Sequence, residues 1–258
     1  MHGLLATGGF LPAASDYFFG VADRLQALGN RVLSPAVPLL ATVEERAAAA
    51  AEQIRLGLSR GSLDPHGPLH LIAHSMGGFD ARLLVSHDVG GMRSRVGSVT
   101  CIGTPHLGCP LFTMFGLALG AGRAALQWPM CPWLLGAIGE PAGRIERILD
   151  QDLTQLNSQC PDVHGVRYFE IAGVGRRRMT PTSLALVPTA MILPLCGEAR
   201  HDGVVGVRSA CRNRQPLALW DEDHPGLIGH DLDWPLAPPS VEHFSRYERL
   251  AASIAASR

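Results

Sequence analysis

The stretch "LHLIAHSMGGFDARLL", residues 69–84, runs a short apolar segment straight into a tight turn and then into a helical pattern. An apolar run of this length, closed by a turn, is typical of a strand buried on both faces of a parallel sheet. Ser75 falls where the strand ends and the helix begins, between the small residues Ala73 and Gly77. Such a turn strains the serine backbone and exposes its hydroxyl. The pattern predicts a candidate nucleophile; a serine that only shapes the turn is the alternative.

Strand and helix patterns alternate along the whole chain. Apolar segments that end at turn signals predict strands at 31–37, 69–73, 96–103, 166–173 and 216–220. Helical periodicity predicts helices at 15–29, 43–60, 77–87 and 241–257. Ser15 or Asp16 is the expected N-cap of the first helix, and Gly29 its expected stop. With no repeat and no linker, the 258 residues predict one α/β domain, with a mostly parallel sheet and helices on both faces.

Composition and charge exclude several classes of protein. Apolar residues make up 47% and charged residues 17% of the chain, which indicates a globular protein. The net charge of −1 gives no basic field to attract nucleic acid or anionic lipid. The sequence shows no signal peptide and no apolar run of about eighteen residues. Its six cysteines have no metal-binding spacing, and fit either buried thiols or an undetermined disulfide.

Two apolar stretches interrupt the alternation of strands and helices. Residues 109–139 carry a single charge, Arg123, and residues 180–196 carry none. Each is either an ordinary buried helix or part of an apolar cap over a site. Insertions at the carboxyl ends of parallel strands commonly build ligand crevices. The composition therefore leaves open a site that meets apolar substrate.

A reactive serine needs a base to take its proton and an acid to orient that base. In strand–turn–helix elbows of this kind, the partners follow in the order serine, acid, histidine. Asp202, in "RHDGVV" (200–205), lies at a turn just after an apolar segment. That position suits a loop at the tip of a strand, although an aspartate that only shapes the turn fits as well.

Three histidines lie downstream of this acid. His224 follows the expected strand 216–220 closely enough to occupy the last loop of the sheet. His230 lies six residues further and is the alternative base. His243 falls in an amphipathic helical pattern, which favours a structural role. A solvated acidic turn is the other account of the loop that holds His224.

Five segments of the chain carry a family resemblance: "HGLL" (2–5), "DYFFGVADRL" (16–25), "AHSMGG" (73–78), "VTCIGTPHLGCPL" (99–111) and "HDGVV" (201–205). Together they resemble the bacterial triacylglycerol lipases, especially the calcium-dependent, foldase-assisted group. The strings "AHSMGG" and "HPGLI" also resemble the small lidless bacterial lipases. The resemblance covers most of the chain and implies an α/β-hydrolase fold.

The resemblance also implies roles for particular residues. Ser75 is the expected nucleophile, Asp202 the acid and His224 the base. The backbone N–H groups of Leu4 and Met76 are the expected oxyanion hole.

A lid or cap insertion is expected at about 109–148. In the family, a hydrophobic strand precedes "HG", whereas this chain begins at Met1. We expect residues upstream of Met1 to supply that strand; the alternative is another segment of the chain in its place. A secreted or periplasmic location is implied by the resemblance alone.

Two further features depart from the family pattern. The two aspartates that hold calcium in the family are replaced by Thr180 and Gly226. Without carboxylates a divalent ion lacks its charged oxygen ligands, so we predict no cofactor and no calcium of that kind. Asp231 and Asp233 are an alternative pair of ligands, above all if His230 is the base. The position of the family's disulfide cysteine after the acid is Arg208, so that bridge is not expected.

These patterns predict a serine carboxylic-ester hydrolase, a lipase or esterase, that acts on acyl esters such as triacylglycerols. A polyester depolymerase of the polyhydroxyalkanoate type is the enzymatic alternative, and acyl transfer to an acceptor other than water is another. An inactive α/β-hydrolase that binds lipid is the non-enzymatic alternative. The expected partner is a lipid or ester substrate, with no nucleic acid, and a foldase partner cannot be inferred. The cap is either a lid that opens at an oil–water interface or a fixed wall of the acyl pocket.

Overall fold

The computed structural model describes residues 17–38, 41–109, 153–175, 190–230 and 241–256. Its centre is a parallel sheet whose four strands follow one another in chain order. The strands are β1 (Leu69–His74), β2 (Val96–Ile102), β3 (Arg167–Gly173) and β4 (Ala218–Trp220). All four were predicted, although β4 begins two residues later than its sequence pattern indicates.

Six α-helices are delimited in the described residues, and a short helical segment at 190–192 leads into a 3₁₀ helix. They are α1 (Val21–Ala27), α2 (Val43–Ser59), α3 (Gly77–Ser86), α4 (Leu153–Gln159), α5 (Val207–Ala210) and α6 (Val241–Ala256). Short 3₁₀ helices lie at Val89–Gly91, Arg93–Arg95, Leu193–Cys196 and Gly226–Ile228. A capping box starts α2: the Thr42 hydroxyl accepts from the Glu45 N–H, and the Glu45 carboxylate accepts from the Thr42 N–H.

Helices cover both faces of the sheet, as predicted. The core on one face joins α2 and α3 to strand residues such as Leu71 and Val99. The core on the other face joins α1 and α6 to Ile102 and Ile171. Alternate residues of a strand point to opposite faces, so each strand contributes to both cores. The sheet is therefore buried on two sides, which is why its strands are short, nearly continuous apolar runs.

Two expectations were wrong. Residues 31–37 form no strand, although Leu33 packs on one core and Val32 on the other. Residues 31–35 instead line a cavity of about 600 Å³ together with residues of β1. No residue of β2 lines this cavity. A local apolar run shows that a segment is buried, but a strand also needs a partner about 4.8 Å away. The cavity borders β1, and the strand expected from residues upstream of Met1 stays a prediction.

The second wrong expectation is the start of the first helix. It begins at Val21, after Gly20 with φ of +72°, rather than at Ser15 or Asp16, which lie outside the described residues. Its end is as predicted: α1 stops at Ala27, and Gly29 adopts a φ of +86°. Glycine is suited to this left-handed conformation, which ends helices.

In the described part of the chain, the cysteines form no disulfide. None of its helices combines the length and apolar character that a membrane span requires.

Candidate active site

The four strands bring their carboxyl ends to one edge of the sheet. Ser75 follows β1, Gly103 follows β2, and the loop after β3 approaches His201 through a hydrogen bond from the Gly175 N–H, 2.9 Å long. The loop after β4 carries His224. In open parallel sheets, this edge is where ligand crevices form. Residues far apart in the sequence therefore meet here.

Ser75 occupies the turn between β1 and α3 with a φ of +54°, in the left-handed region that residues other than glycine rarely adopt. Its N–H donates to the Ile102 carbonyl of β2 at 2.9 Å, and its carbonyl accepts from the Gly78 N–H at 3.0 Å. A Cβ on Gly78 would lie 2.1 Å from the Thr104 hydroxyl, so only glycine permits this approach. The predicted strained elbow is confirmed.

Asp202 lies in the tight loop that precedes α5 and is 1% exposed. One carboxylate oxygen, Oδ1, accepts hydrogen bonds from the N–H groups of Val204 at 2.9 Å and Val205 at 2.7 Å. The other, Oδ2, lies 2.7 Å from His224 Nδ1. Burying a charge is costly unless it is hydrogen-bonded, and these three bonds offset that cost. The aspartate therefore shapes its turn and also holds the histidine.

His224 lies between this carboxylate and the serine. Its Nε2 is 3.1 Å from Ser75 Oγ, and its backbone N–H donates to the Asp202 carbonyl at 2.9 Å. Because a carboxylate only accepts, Nδ1 carries the proton of the neutral ring and Nε2 is left to accept from the serine hydroxyl. The side chain is 12% exposed. The structure thus brings together the three residues that the sequence analysis selected.

The two other histidines have different positions. His230 Nε2 donates to the Tyr17 carbonyl at 2.9 Å, and His243 Nε2 donates to the Phe19 carbonyl at 3.3 Å. Both rings are buried and hold the turn that precedes α1. His230 is therefore not placed as the alternative base, and His243 has the structural position that its helix suggested.

One half of the expected oxyanion hole lies within the described residues. Met76 directly follows Ser75 and precedes α3, and its side chain is 1% exposed. Its N–H makes no hydrogen bond to any residue in the described parts of the chain. An N–H at the start of a helix suits the stabilisation of negative charge. Leu4 and most of the expected 109–148 cap lie outside the described residues.

Two further residues of this site were not predicted, although both lie in the segments 73–78 and 99–111 that carry the family resemblance. Gly103 has a φ of +56°, and a Cβ there would lie 3.2 Å from Asp202 Oδ2 and 3.3 Å from His224 Cε1. His74 precedes the nucleophile, and its ring centroid lies 4.5 Å from that of His224. Gly103 could have been found from its place after a buried strand, but the contact of His74 is visible only in three dimensions.

Behind the elbow lies a buried polar cluster centred on His106. Its Nδ1 is 3.1 Å from Nη1 of Arg82, and that guanidinium also reaches Asn157 and the Cys160 carbonyl. Burial, reinforced by the positive charge of Arg82, holds the pKa of His106 well below its ordinary value. His106 is therefore neutral and joins the loop after β2 to α3 and to α4.

One of the two positions at which the family has calcium aspartates lies within the described residues. Gly226 has no side chain to offer, and its N–H donates to Asp223 Oδ1 at 2.9 Å. Within the described ranges, no three His, Cys, Asp or Glu side chains lie close enough together to hold a metal ion. Thr180, Asp231 and Asp233 lie outside those ranges.

The chain was compared with known proteins by sequence. No protein-family model matches it. A stretch of 94 residues, 36% of the chain, is 38% identical to Triacylglycerol lipase 2 of Saccharomyces cerevisiae. The matched stretch spans only 28% of the yeast protein.

Solved structures resemble the chain over most of its length. The metagenomic carboxyl esterase MGS0156 is 18% identical with a TM-score of 0.70, over 100% of this chain and 75% of that chain. Lipase 1 from Pelosinus fermentans is 16% identical with a TM-score of 0.65, over 97% of both chains. Bacillus licheniformis lipase BlEst2 in mature form is 19% identical with a TM-score of 0.57, over 88% and 84%. Together with the parallel sheet and its elbow, these similarities show that the chain has the α/β-hydrolase fold.

Proposed function

We propose that this protein is a serine carboxylic-ester hydrolase, a lipase or esterase, that acts through an acyl-enzyme on Ser75. The observation that carries the proposal is the line of hydrogen bonds from Asp202 through His224 to the serine hydroxyl. The names of the similar proteins, a triacylglycerol lipase, a carboxyl esterase and two lipases, support the same chemistry.

In the proposed reaction, His224 Nε2 takes the proton of Ser75 Oγ as the oxygen attacks the ester carbonyl. Asp202 keeps the Nδ1 proton in place and stabilises the imidazolium that forms. His224 then gives its proton to the leaving alcohol, and the acyl group remains on Ser75. A water molecule, deprotonated by the same imidazole, then attacks the acyl carbonyl. The acyl bond to Ser75 Oγ breaks as His224 returns the proton to that oxygen, and the acid is released.

The oxyanion of each tetrahedral intermediate is proposed to bind the N–H groups of Met76 and Leu4. The position of Met76 beside the nucleophile supports its part, and the part of Leu4 rests on the family resemblance. Removal of one such donor costs about 3 to 4 kcal/mol of transition-state stabilisation.

The reaction is proposed to need no calcium, because Gly226 and Thr180 stand where the family has calcium aspartates. Dialysis against EDTA should leave ester hydrolysis unchanged, with activity and thermal midpoint measured before and after calcium is added back. A loss of activity that calcium restores would contradict this part of the proposal.

A fluorophosphonate probe tests the proposal as a whole. An active serine hydrolase should be labelled irreversibly at Ser75, and the labelled peptide is identified by mass spectrometry. The Ser75→Ala variant should lose labelling, and its turnover of p-nitrophenyl butyrate should fall about 10⁴-fold or more. Ser86→Ala is the matched control, because Ser86 is the last residue of α3 and its hydroxyl donates to the Leu83 carbonyl of the same helix at 3.4 Å. An unlabelled, inert wild-type protein would instead support a binding module.

The substrate class is tested separately. We propose acyl esters, on the basis of the two apolar stretches in the sequence and the family resemblance. Rates on tributyrin, triolein and polyhydroxybutyrate rank an esterase, a lipase and a polyester depolymerase. Product analysis with added alcohol shows whether an acceptor other than water enters the second half of the reaction.

A further inference from the structure

A second imidazole packs against the histidine of the candidate triad. His74 is the last residue of β1, directly before Ser75, and is 2% exposed. The centroids of the His74 and His224 rings lie 4.5 Å apart, and the ring planes meet at 41°. This separation is at the close end of the range for interacting aromatic rings.

His74 is held from the side that faces α1. Its Nδ1 lies 2.8 Å from the Tyr17 hydroxyl, and Tyr17 is 4% exposed. The carbonyl of Tyr17 accepts the hydrogen bond from His230. The Nε2 of His74 has no hydrogen-bond partner among the described residues. The ring is therefore hydrogen-bonded at Nδ1 and lies beside the His224 ring.

The surroundings keep His74 uncharged. Burial, followed by the neighbouring charge of His224, holds its pKa well below the ordinary value. A neutral aromatic ring does not repel an imidazolium, and its face attracts a cation. His74 can therefore remain packed against His224 before and after the proton transfer from Ser75.

The two hydrogen bonds of His224 do not fix its ring completely. They act at Nδ1 and Nε2, so the ring can still tilt about the line that joins these atoms. Tilting changes the direction of the Nε2 lone pair relative to Ser75 Oγ. A contact on the face of the ring restricts this motion, and His74 provides such a contact.

We propose that His74 is a positioning residue, whose ring holds His224 in line with Asp202 and Ser75, and that Tyr17 fixes His74 in that position. The inference rests on the proposed function, because it concerns the same histidine. It adds two residues that do not touch substrate but on which the rate of the acylation step depends.

Two substitutions at His74 test the contribution of its ring to kcat separately from that of its hydrogen bond. His74→Asn keeps a polar atom near the Nδ1 position but removes the ring, and we expect kcat to fall about tenfold to 100-fold with KM within twofold. His74→Phe keeps the ring but loses the hydrogen bond to Tyr17, so kcat should fall by only about threefold to fivefold. The rate of fluorophosphonate labelling should follow kcat, because it reports the reactivity of Ser75 directly.

The matched control is His70→Asn. His70 lies on the same strand and bonds to the Ser98 hydroxyl at 2.8 Å, and this substitution should leave kcat within twofold. A folded His74→Asn variant with wild-type kcat would overturn the inference, as would equal losses in the Asn and Phe variants. If His74→Asn does not fold, Tyr17→Phe decides: a folded variant with unchanged kcat overturns the inference, and a kcat lowered about threefold or more with constant KM supports it.

Failure of the inference and failure of the proposed function have different signatures. If wild-type protein is neither labelled by fluorophosphonate nor active on esters, the proposed function fails. If wild type is active and the folded His74→Asn variant is equally active, only the positioning role fails.

Discussion

Two buried carboxylates in this protein look alike by burial and by geometry. Asp80, in α3, is 0% exposed and bonds to Arg46 of α2, with Nη2 to Oδ2 at 2.8 Å. Asp202 is 1% exposed and bonds to His224, with Nδ1 to Oδ2 at 2.7 Å. Burial and a close basic partner therefore do not separate a structural pair from a candidate catalytic pair.

The partner of each carboxylate makes the difference. Arg46 carries a guanidinium, which is a fixed cation; it is 0% exposed and also donates to the Pro38 carbonyl, so the pair joins α2 to α3 and the preceding loop. His224 carries an imidazole, a group that can both accept and donate a proton; it is partly exposed and directs its second nitrogen at Ser75. A partner that can change charge beside a reactive atom is what indicates chemistry.

Among variants of these two pairs, the largest expected effect comes from Asp202→Asn. An amide in place of the carboxylate can donate to His224 Nδ1, which favours the tautomer that cannot accept the proton of Ser75. We expect kcat for ester hydrolysis to fall about 10⁴-fold, while the variant remains folded by circular dichroism. A variant that keeps a tenth of wild-type activity would show that Asp202 is not the acid of the proposed mechanism.

Substitutions in the Arg46–Asp80 pair should instead lower the stability of the protein and change its activity little. Arg46→Met or Asp80→Leu leaves one charge buried without its partner, and each should lower the free energy of unfolding by about 3 to 5 kcal/mol. The double variant removes both charges and should lose less than either single variant. Urea unfolding measures all three, and kcat of the folded double variant should stay within about fivefold of wild type. Additive losses in the cycle would mean that the two side chains do not interact.

The Arg46–Asp80 pair should also make stability depend on pH. Burial raises the pKa of Asp80 from 3.8 to about 6, although the charge of Arg46 opposes the rise. A raised pKa means that the folded state binds the proton more tightly than the unfolded state. The stability from this proton is fully present below pH 3.8 and is lost as the pH rises through about 6.

Relative to the Arg46→Met, Asp80→Leu double variant, the free energy of unfolding of wild type should therefore fall by up to about 3 kcal/mol between pH 4 and pH 7. Urea titrations at several pH values check this difference. Parallel pH profiles for the two proteins would contradict it.

Sequence patterns predicted one of these pairs and not the other. The elbow at Ser75 was predictable because strand, turn and helix are contiguous in the sequence. His224 was predictable because it closely follows a strand, and parallel strands end at one edge. Asp202 was predicted from its turn after an apolar segment and from the family resemblance. Arg46 in an alanine-rich helix has the pattern of a solvated residue, so its burial depends on contacts with α3 that no local pattern encodes. The catalytic roles of the three site residues stay predictions until activity is measured.

The wrong strand at 31–37 has the same cause as the missed contact of His74. In both cases the partner that decides the structure is distant along the chain. A strand requires a paired neighbour, and an aromatic contact requires a second ring, so neither follows from periodicity alone.

The smallest expected effect tests whether the geometry of the candidate pair matters as well as its chemistry. Gly103→Ala leaves Asp202 and His224 intact but places a methyl group 3.2 Å and 3.3 Å from them, and 2.9 Å from Leu227 Cδ1. The crowding should displace the His224 ring and lower kcat about tenfold to 100-fold.

Gly108→Ala is the matched control: its φ of +96° is strained in the same sense, but nothing lies within 4 Å of the added Cβ. Both variants carry the cost of a positive φ, about 1 kcal/mol, so only crowding of the pair can separate their rates. Equal rates in the two variants would mean that the Asp202–His224 pair tolerates displacement, and would weaken the contrast with the tightly packed Arg46–Asp80 pair.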